Sequence, residues 1–422
     1  MVTPIKNWAG NYAYSSVKVD YPQTVEQIQT LVRQYPKLRV LGTRHSFNGI
    51  ADSTENLISL ETYPSAINVN HEQSTVSISA NITYGQLCPL LHREGFALHN
   101  LASLAHISVV GACATASHGS GDRNPNVAAA VSGLELVTAD GELVSLSREH
   151  DADMFEGAVV GLGALGVVVK LTLDLMPDFD MSQQVYERLP FSNVEQHFAD
   201  IMSSGYSVSL FTDWQGDTAN QVWLKQRYDD SVSAAPPEFF GAKPATRLMH
   251  PIAELSADSC TEQLGSRGCW RERLPHFRID ATPSAGNELQ SEYFVARSHA
   301  LAAVRAVRSL RDEIAPHLLI SEIRTIAADN FWMSPCYHQD SVAIHFTWKP
   351  DGPSVREVLP LIEAKLAPFQ AKPHWGKLFT VPPARLQSVY EKLNDFQRLL
   401  EYYDPQGKFR NPFLDRYIFG SR

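Results

Sequence analysis

Cysteine is scarce. Only Cys88, Cys113, Cys260, Cys269 and Cys336 occur among 422 residues. An odd, scattered set of five makes no disulfide framework, and the absence of a CxxC pair removes the usual zinc signature, so no metal is expected. A reduced, cytoplasmic setting is the simplest expectation. Long apolar runs are missing too. Nothing approaches the ~18 residues a membrane span needs, and the opening "MVTPIKNWAGNYAYSS" lacks the apolar core of a signal peptide. A basic surplus is also absent. Lys and Arg number 36 against 46 Asp and Glu, a formal charge of −10. That balance argues against nucleic acid or an anionic membrane as partner. It leaves small neutral substrates open. No internal repeat or low-complexity tract stands out.

What is present suggests two domains, because 44% hydrophobic residues over this length exceed one ordinary core. "TVEQIQTLVRQYP" reads as a helix capped by Thr24, with Gln27 closing a capping box. Leu38 to Leu41 is a short buried strand, giving a β-α-β opening. Strands follow at Leu57 to Leu60 and Thr75 to Ala80. "VSGLELVTADGELVSLS" reads as a hairpin turning at Ala139 to Gly141. "GVVVKLTLDLMP" is a strand that Pro177 stops. After Met176 the strands become longer and more aromatic. The Pro-rich "SAAPPEFFGAKPATRLMHP" reads as an irregular loop. "SHALAAVRAVRSLRDEIAP" is amphipathic at helical spacing, and Ser354 to Leu366 is a further helix. The second half is therefore expected to be an antiparallel sheet covered by helices.

"GLGALG", Gly161 to Gly166, matches the dinucleotide fingerprint letter for letter. That fingerprint requires a strand before it and a helix after it. Here a helical segment precedes and a β-branched strand follows. No helix N-terminus is available for a pyrophosphate, so the run reads as a tight connection.

Six stretches hold groups suited to chemistry. "SLAHISVVGACATASHGSG" (103–121) is rich in small residues, which suits close backbone approach to a phosphate-bearing cofactor but equally a packing seam. In "LISEIRTIAAD" the two-residue spacing puts Glu322 and Arg324 on one face of a strand. "SVAIHFTWK" does the same with His345 and Thr347, while Ile344, Phe346 and Trp348 point the other way. "KPHWGKLFT" gathers His374 and Lys377, and "DPQGKFRNP" supplies a late turn. In "VLGTRHSFNG", His45 stands just beyond a strand and a glycine, where backbone often approaches a ligand.

Together and in this order, "NWAGN", "VLGTRHSFN", "ASLAHISVVGACATASHGSG", "LGALGVV", "SVSLFTDW", "LPHFR", "ELQSEY", "EIRTIAAD", "HFTW", "PHWGK" and "DPQGKF" resemble the flavoprotein oxidases of the vanillyl-alcohol-oxidase type. The nearest branch is that of the alditol (xylitol) oxidases, with aldonolactone oxidases more distant. The likeness spans nearly the whole chain. It implies an α+β, two-domain fold: a PCMH-type FAD-binding domain over 1–176, a substrate domain over 177–380, and a segment 381–422 that returns to the first. It also implies FAD carried covalently on His45, with Gly42, Thr43, Arg44 and Ser46 around the pyrophosphate. Further FAD contacts carried over are Ser103, Ser108, Gly111, Thr115, Ala116, Ser117, His118, Val168 and His374. Ser103, Glu322, Arg324 and Thr347 match substrate contacts, and His345, Lys377 and Arg324 match catalytic positions. Two departures stand out. "SLAH" lacks the proline usual before the histidine, and "DRNPN" follows "HGSG".

The resemblance implies oxidation of the terminal primary alcohol of a linear polyol such as xylitol or sorbitol, with O2 reduced to H2O2. His345 is the expected base. Arg324 and Lys377 are expected to stabilise the growing oxyanion. Rival readings are an aldonolactone oxidase, a flavin dehydrogenase that avoids oxygen, or a noncatalytic flavin- or carbohydrate-binding protein. Small Ala102 leaves oxygen a path and favours an oxidase. The expected partners are a polyol and O2, and a monomer suffices for this reading.

Overall fold

The computed structural model describes residues 4–16, 18–228, 236–281 and 288–420. Helix Val25–Gln34 forms where the sequence places it. Thr24 caps it, its side chain accepting from the Gln27 N–H. The second half of the expected capping box differs: the Gln27 side chain takes the Gln23 N–H at 2.7 Å, one residue earlier than Thr24. Strands Val19–Asp20, Asn56–Ser59 and Leu38–Leu41 form a parallel sheet in that order. A second sheet is antiparallel, ordered Ile67–Asn70, Thr75–Ser79, Val167–Asp174, Val131–Val137, Leu143–Ser147. The last two are the expected hairpin. Helix Ala152–Val159 precedes the glycine run and a strand follows it, so the run is a connection and not a phosphate-binding turn.

Among the described residues the larger sheet has nine strands. Its centre is antiparallel, ordered Thr218–Arg227, Ser207–Thr212, Leu318–Ile326, Ser341–Trp348, Leu289–Ala296. Alternation decides its two faces. Ile323, Ile344, Phe346 and Val295 are wholly buried, and helices Phe191–Ser203, Ala300–Arg308 and Gly352–Leu366 pack on this sheet. The expected long helix after Ser298 is broken at Ser309 and Leu310 into Ala300–Arg308 and Arg311–Ile314. The opposite face carries the charged residues and turns toward the cofactor-binding half. Residues 233–235, the start of the Pro-rich loop, lie outside the described residues. No helix among the described residues is long and apolar enough to cross a membrane.

The C-terminal residues return to the first half. Arg39 is buried, and its guanidinium donates to the carbonyls of Gly163 (2.6 Å), Phe409 (2.9 Å), Leu162 (2.8 Å) and Ile50. Asn411 Nδ2 donates to the carbonyls of Gly49, Ile50 and Asp52. One cation thus ties the glycine connection, the C-terminal segment and the turn after His45 into one block. Arg39→Met takes a donor from four carbonyls, of which only that of Ile50 keeps Asn411, a cost on the order of 3 kcal/mol or more. We expect a Tm several degrees lower and weaker FAD retention. An unchanged Tm in a thermal melt would show that the clamp contributes nothing.

Candidate active site

A cavity of about 290 Å³ lies between the two halves. One wall is the turn Gly42 to Ser46, and all five residues line it. Ser103, Ser108, Gly111, Thr115, Ser117 and His118 line the adjoining wall. The two walls interlock. The Ser108 N–H donates to Thr43 Oγ1 at 3.1 Å. A Cβ on Gly42 would stand 2.9 Å from Ser108 Oγ, and one on Gly111 2.7 Å from the same atom. Both positions therefore need glycine for close approach. Helix Val109–Ala114 starts here, so the small-residue stretch serves both as cavity wall and as packing.

His45 fits a covalently held cofactor. Its ring stacks on Trp8 at 5.3 Å and lies 4.6 Å from His106. Neither ring nitrogen makes a well-formed hydrogen bond, though both are buried. Burial, helped by neighbouring His106, pushes its pKa down to about 3. The imidazole is thus neutral and stands at a cavity wall. The segment after it is pinned to the turn of Lys377: the Phe47 N–H donates to the Gly376 carbonyl at 2.7 Å, and Asn48 Nδ2 to the carbonyls of Trp375 and Lys377.

The opposite wall is the charged face of the large sheet. Strand register places Glu322, His345 and Glu292 side by side on three neighbouring strands. Glu292 is wholly buried. Its carboxylate lies 2.7 Å from Arg324 Nη2, 2.7 Å from Lys377 Nζ and 3.2 Å from His118 Nε2. Burial works to raise its pKa, but Lys377, His118 and Arg324 outweigh burial and hold it well below the usual carboxylate range. Glu322 is likewise held low, by Arg324 and His276 against burial. His276 Nε2 lies 2.8 Å from Glu322 Oε1. Lys377 Nζ donates to His345 Nδ1 at 2.8 Å, which leaves the proton of a neutral His345 on Nε2, 3.1 Å from Thr347 Oγ1. Burial and the Lys377 charge push His345 down to about 4. Burial also lowers Lys377 from its ordinary value, with Glu292 opposing.

The cavity brings together most residues singled out in the sequence, including His374 and the set Glu322, Arg324, His345, Thr347 and Lys377. Ala116 and Val168 do not line it. Ala116 is buried at the end of its turn with φ +54. Val168 pairs with Leu136, and its side chain packs against the apolar core. His118, expected as a cofactor contact, also belongs to the Glu292 group. Two acidic-face partners were not singled out, Glu292 and His276. Glu292 stands two residues from Gln290, the same spacing that reveals Glu322 and Arg324.

His276 and His345 both have folded-state values of about 4, below an unfolded ~6.5, and burial also lowers His118 and His374. The unfolded chain therefore binds more protons, and stability present above pH ~6.5 is lost as pH falls toward 4. Asp329, raised to about 6 by burial, opposes this with a single site. The holoenzyme should show a Tm that falls steadily from pH 7 to pH 5. Equal melting temperatures at the two pH values would contradict neutral buried histidines.

Comparison with known proteins agrees with this geometry. Residues 18–147 match the model of an FAD binding domain, and residues 285–417 that of D-arabinono-1,4-lactone oxidase. Alditol oxidase of a Streptomyces species is 44% identical over 417 residues, covering 98% of this chain and 99% of that protein. L-gulonolactone oxidase of Mus musculus is 23% identical, covering 98% of each. The crystal structure of cholesterol oxidase from B. sterolicum superposes with a TM-score of 0.78 at 14% identity, covering 98% and 96% of the two chains, a likeness of fold alone.

Proposed function

Since the chain belongs to the alditol oxidase family of FAD-dependent oxidoreductases, we propose that this cavity oxidises the terminal primary alcohol of linear polyols such as xylitol and sorbitol to the aldose. FAD, held by the Gly42 to Ser46 turn and the wall from Ser103 to His118, would supply the hydride acceptor and the path of the two electrons to O2, giving H2O2. The observation that carries this reading is the buried row of Glu322, His345 and Glu292 with Lys377, set across the cavity from His45.

The chain's own groups divide the work. His45 is the covalent anchor, and Gly42 to Ser46 with Ser108, Gly111, Thr115, Ser117 and His118 cradle the cofactor. Glu322, Thr347 and Ser103 bind the hydroxyl row of the substrate, where each unpaired buried hydroxyl costs roughly 1–3 kcal/mol. His345, neutral near pH 7, takes the hydroxyl proton. Its Nδ1 lone pair is engaged by Lys377 at 2.8 Å, so this hydrogen bond opens as the substrate hydroxyl takes the lysine's place at Nδ1 and gives it the proton. Lys377 and Arg324 then face the developing oxyanion. Ala102 lines the cavity with a small side chain, which favours access by O2. All five cysteines are free, in keeping with a reduced, cytoplasmic setting.

Peroxide release under air from xylitol, with L-gulono-1,4-lactone run in parallel, tests the reaction. Faster turnover of the lactone would make the chain a lactone oxidase instead. Acid precipitation tests the anchor. The pellet should stay yellow in the wild type and lose its flavin to the supernatant in His45→Ala, which still folds because attachment is one contact among many. Yellow colour that washes out of the wild type entirely would remove the covalent bond from this reading.

Lys377→Met keeps the stem and removes the charge. A fixed cation beside the forming oxyanion helps the transition state more than the neutral ground state, so the loss should fall on kcat. We expect flavin loading to persist and anaerobic flavin reduction by xylitol to slow by about 10²-fold, the scale of one preorganised electrostatic contact. Unchanged reduction at saturating xylitol would refute the role.

A further inference from the structure

Behind Glu322, away from the cavity, stands a wholly buried lysine that the reaction does not use. Lys225 lies on strand Thr218–Arg227 with no exposed surface. Its contacts are not to a carboxylate. Nζ donates to the carbonyls of Leu274 (2.6 Å) and Pro275 (3.1 Å) and meets His276 Nδ1 at 3.3 Å. The ring of His276 is held edge-on by two aromatics, Phe211 at 5.4 Å and Trp223 at 5.1 Å, so its plane is fixed. Its other nitrogen, Nε2, lies 2.8 Å from Glu322 Oε1.

We propose that Lys225 and His276 are positioning residues that hold Glu322 as a pure hydrogen-bond acceptor, so that this end of the cavity selects a free substrate hydroxyl able to donate. The inference deepens the polyol reading and rests on it for its substrate. It follows from the donor inventory. An ammonium has three N–H groups and no lone pair. Three acceptors surround Nζ, two carbonyls and Nδ1, so His276 must leave Nδ1 bare and carry its proton on Nε2. That proton points at Oε1, and a carboxylate receiving it has no hydrogen of its own to offer. The tautomer of a ring is set by the partner on its far side, as in many sites where a histidine orients a functional group.

The neighbouring charges agree with this order. Burial brings Lys225 down to about 7, with Glu322 and Cys260 opposing and Arg324 adding to the shift, so the ammonium that fixes the tautomer is fully present below that pH. His276 feels Lys225, Glu322 and Arg324. Glu322 faces Arg324 and His345 as well, and Lys377 at longer range. Without Lys225 only the Glu322 carboxylate favours the proton on Nε2, and nothing on the far side of the ring holds Nδ1 bare. The proton can move there, and the Nε2 lone pair then faces Oε1.

The test compares holoenzyme of the wild type, Lys225→Met and His276→Gln. In 15N-histidine spectra assigned with His276→Gln, wild-type His276 should be the Nε2–H tautomer at neutral pH. A proton on Nδ1 would overturn the proposal, and this measurement needs neither variant to be active nor the substrate to be right. In steady-state oxidation of xylitol, Lys225→Met should raise KM by about 10-fold at pH 7, the scale of one charged hydrogen bond, with a smaller change in kcat. The KM ratio to wild type should narrow as pH falls from 7 toward 4, where His276 gains its second proton, because a doubly protonated ring donates to Glu322 without the lysine. His276→Gln, whose amide still donates to Glu322, should lie between the two. A flavin-loaded Lys225→Met with unchanged KM, or with a ratio that does not move with pH, would leave Lys225 a structural residue only. Failure of the wild type to oxidise xylitol would remove the polyol reading instead, while the tautomer result still stands or falls by itself.

Discussion

The buried carboxylate of Glu292 is the constraint on which the site depends. A bare carboxylate without water is costly, and so is each buried cation near it. The two costs cancel only in one arrangement. Glu292 must meet Arg324 and Lys377 at 2.7 Å each, with His118 close by. These groups come from four places in the chain: the strand Leu289–Ala296, the strand Leu318–Ile326, the turn after His374, and the small-residue wall of the cofactor half. One charge therefore sets the distance between the two halves. It also fixes the direction of the lysine ammonium, because displacing any partner strands a buried charge.

The sheet supplies the rest of the precision. Neighbouring strands lie about 4.8 Å apart, and residues opposite each other project from the same face. Glu322, His345 and Glu292 occupy one such row. The reverse face is wholly apolar at Ile323, Ile344 and Phe346, under a cover of helices. The row cannot slip by one residue, since a slip would carry charge into that core. Catalytic spacing is thus a by-product of core packing, the more reliable way to hold a site than a loop.

Alternation in the sequence carried much of this. "EIRTIA" and "HFTW" revealed Glu322, Arg324, His345 and Thr347 because a strand repeats every two residues. The order helix, glycines, strand separated "GLGALG" from a nucleotide fingerprint. Glu292 lay within reach of the same rule, two residues from Gln290, but an isolated glutamate before an aromatic run reads locally as a strand edge. His276 gave no periodic signal. It sits in an irregular segment, and its meaning comes from a contact 46 residues away. Lys225, a charged residue in the strand "QVWLKQR", gives no local signal of the tertiary packing that buries it completely. Local patterns report which face a residue shares. They do not report what closes over that face.

The charges on the face also bear on the class of substrate. Glu292 and Glu322 are held ionised, Arg324 pairs with both, and Lys377 pairs with Glu292. The two cations and two carboxylates cancel. An anionic substrate would find no surplus positive charge here to repay its desolvation. A neutral chain of hydroxyls meets what it needs, donors and acceptors in fixed alternation, with no net charge to bury. The balance changes only as the reaction proceeds. On the proposed mechanism, a hydroxyl that gives its proton to His345 leaves an oxyanion beside the new imidazolium, with Lys377 and Arg324 on the same face. Near-neutrality at rest and attraction in the transition state would then come from one set of groups, and the electrostatic work would fall on the step that creates charge.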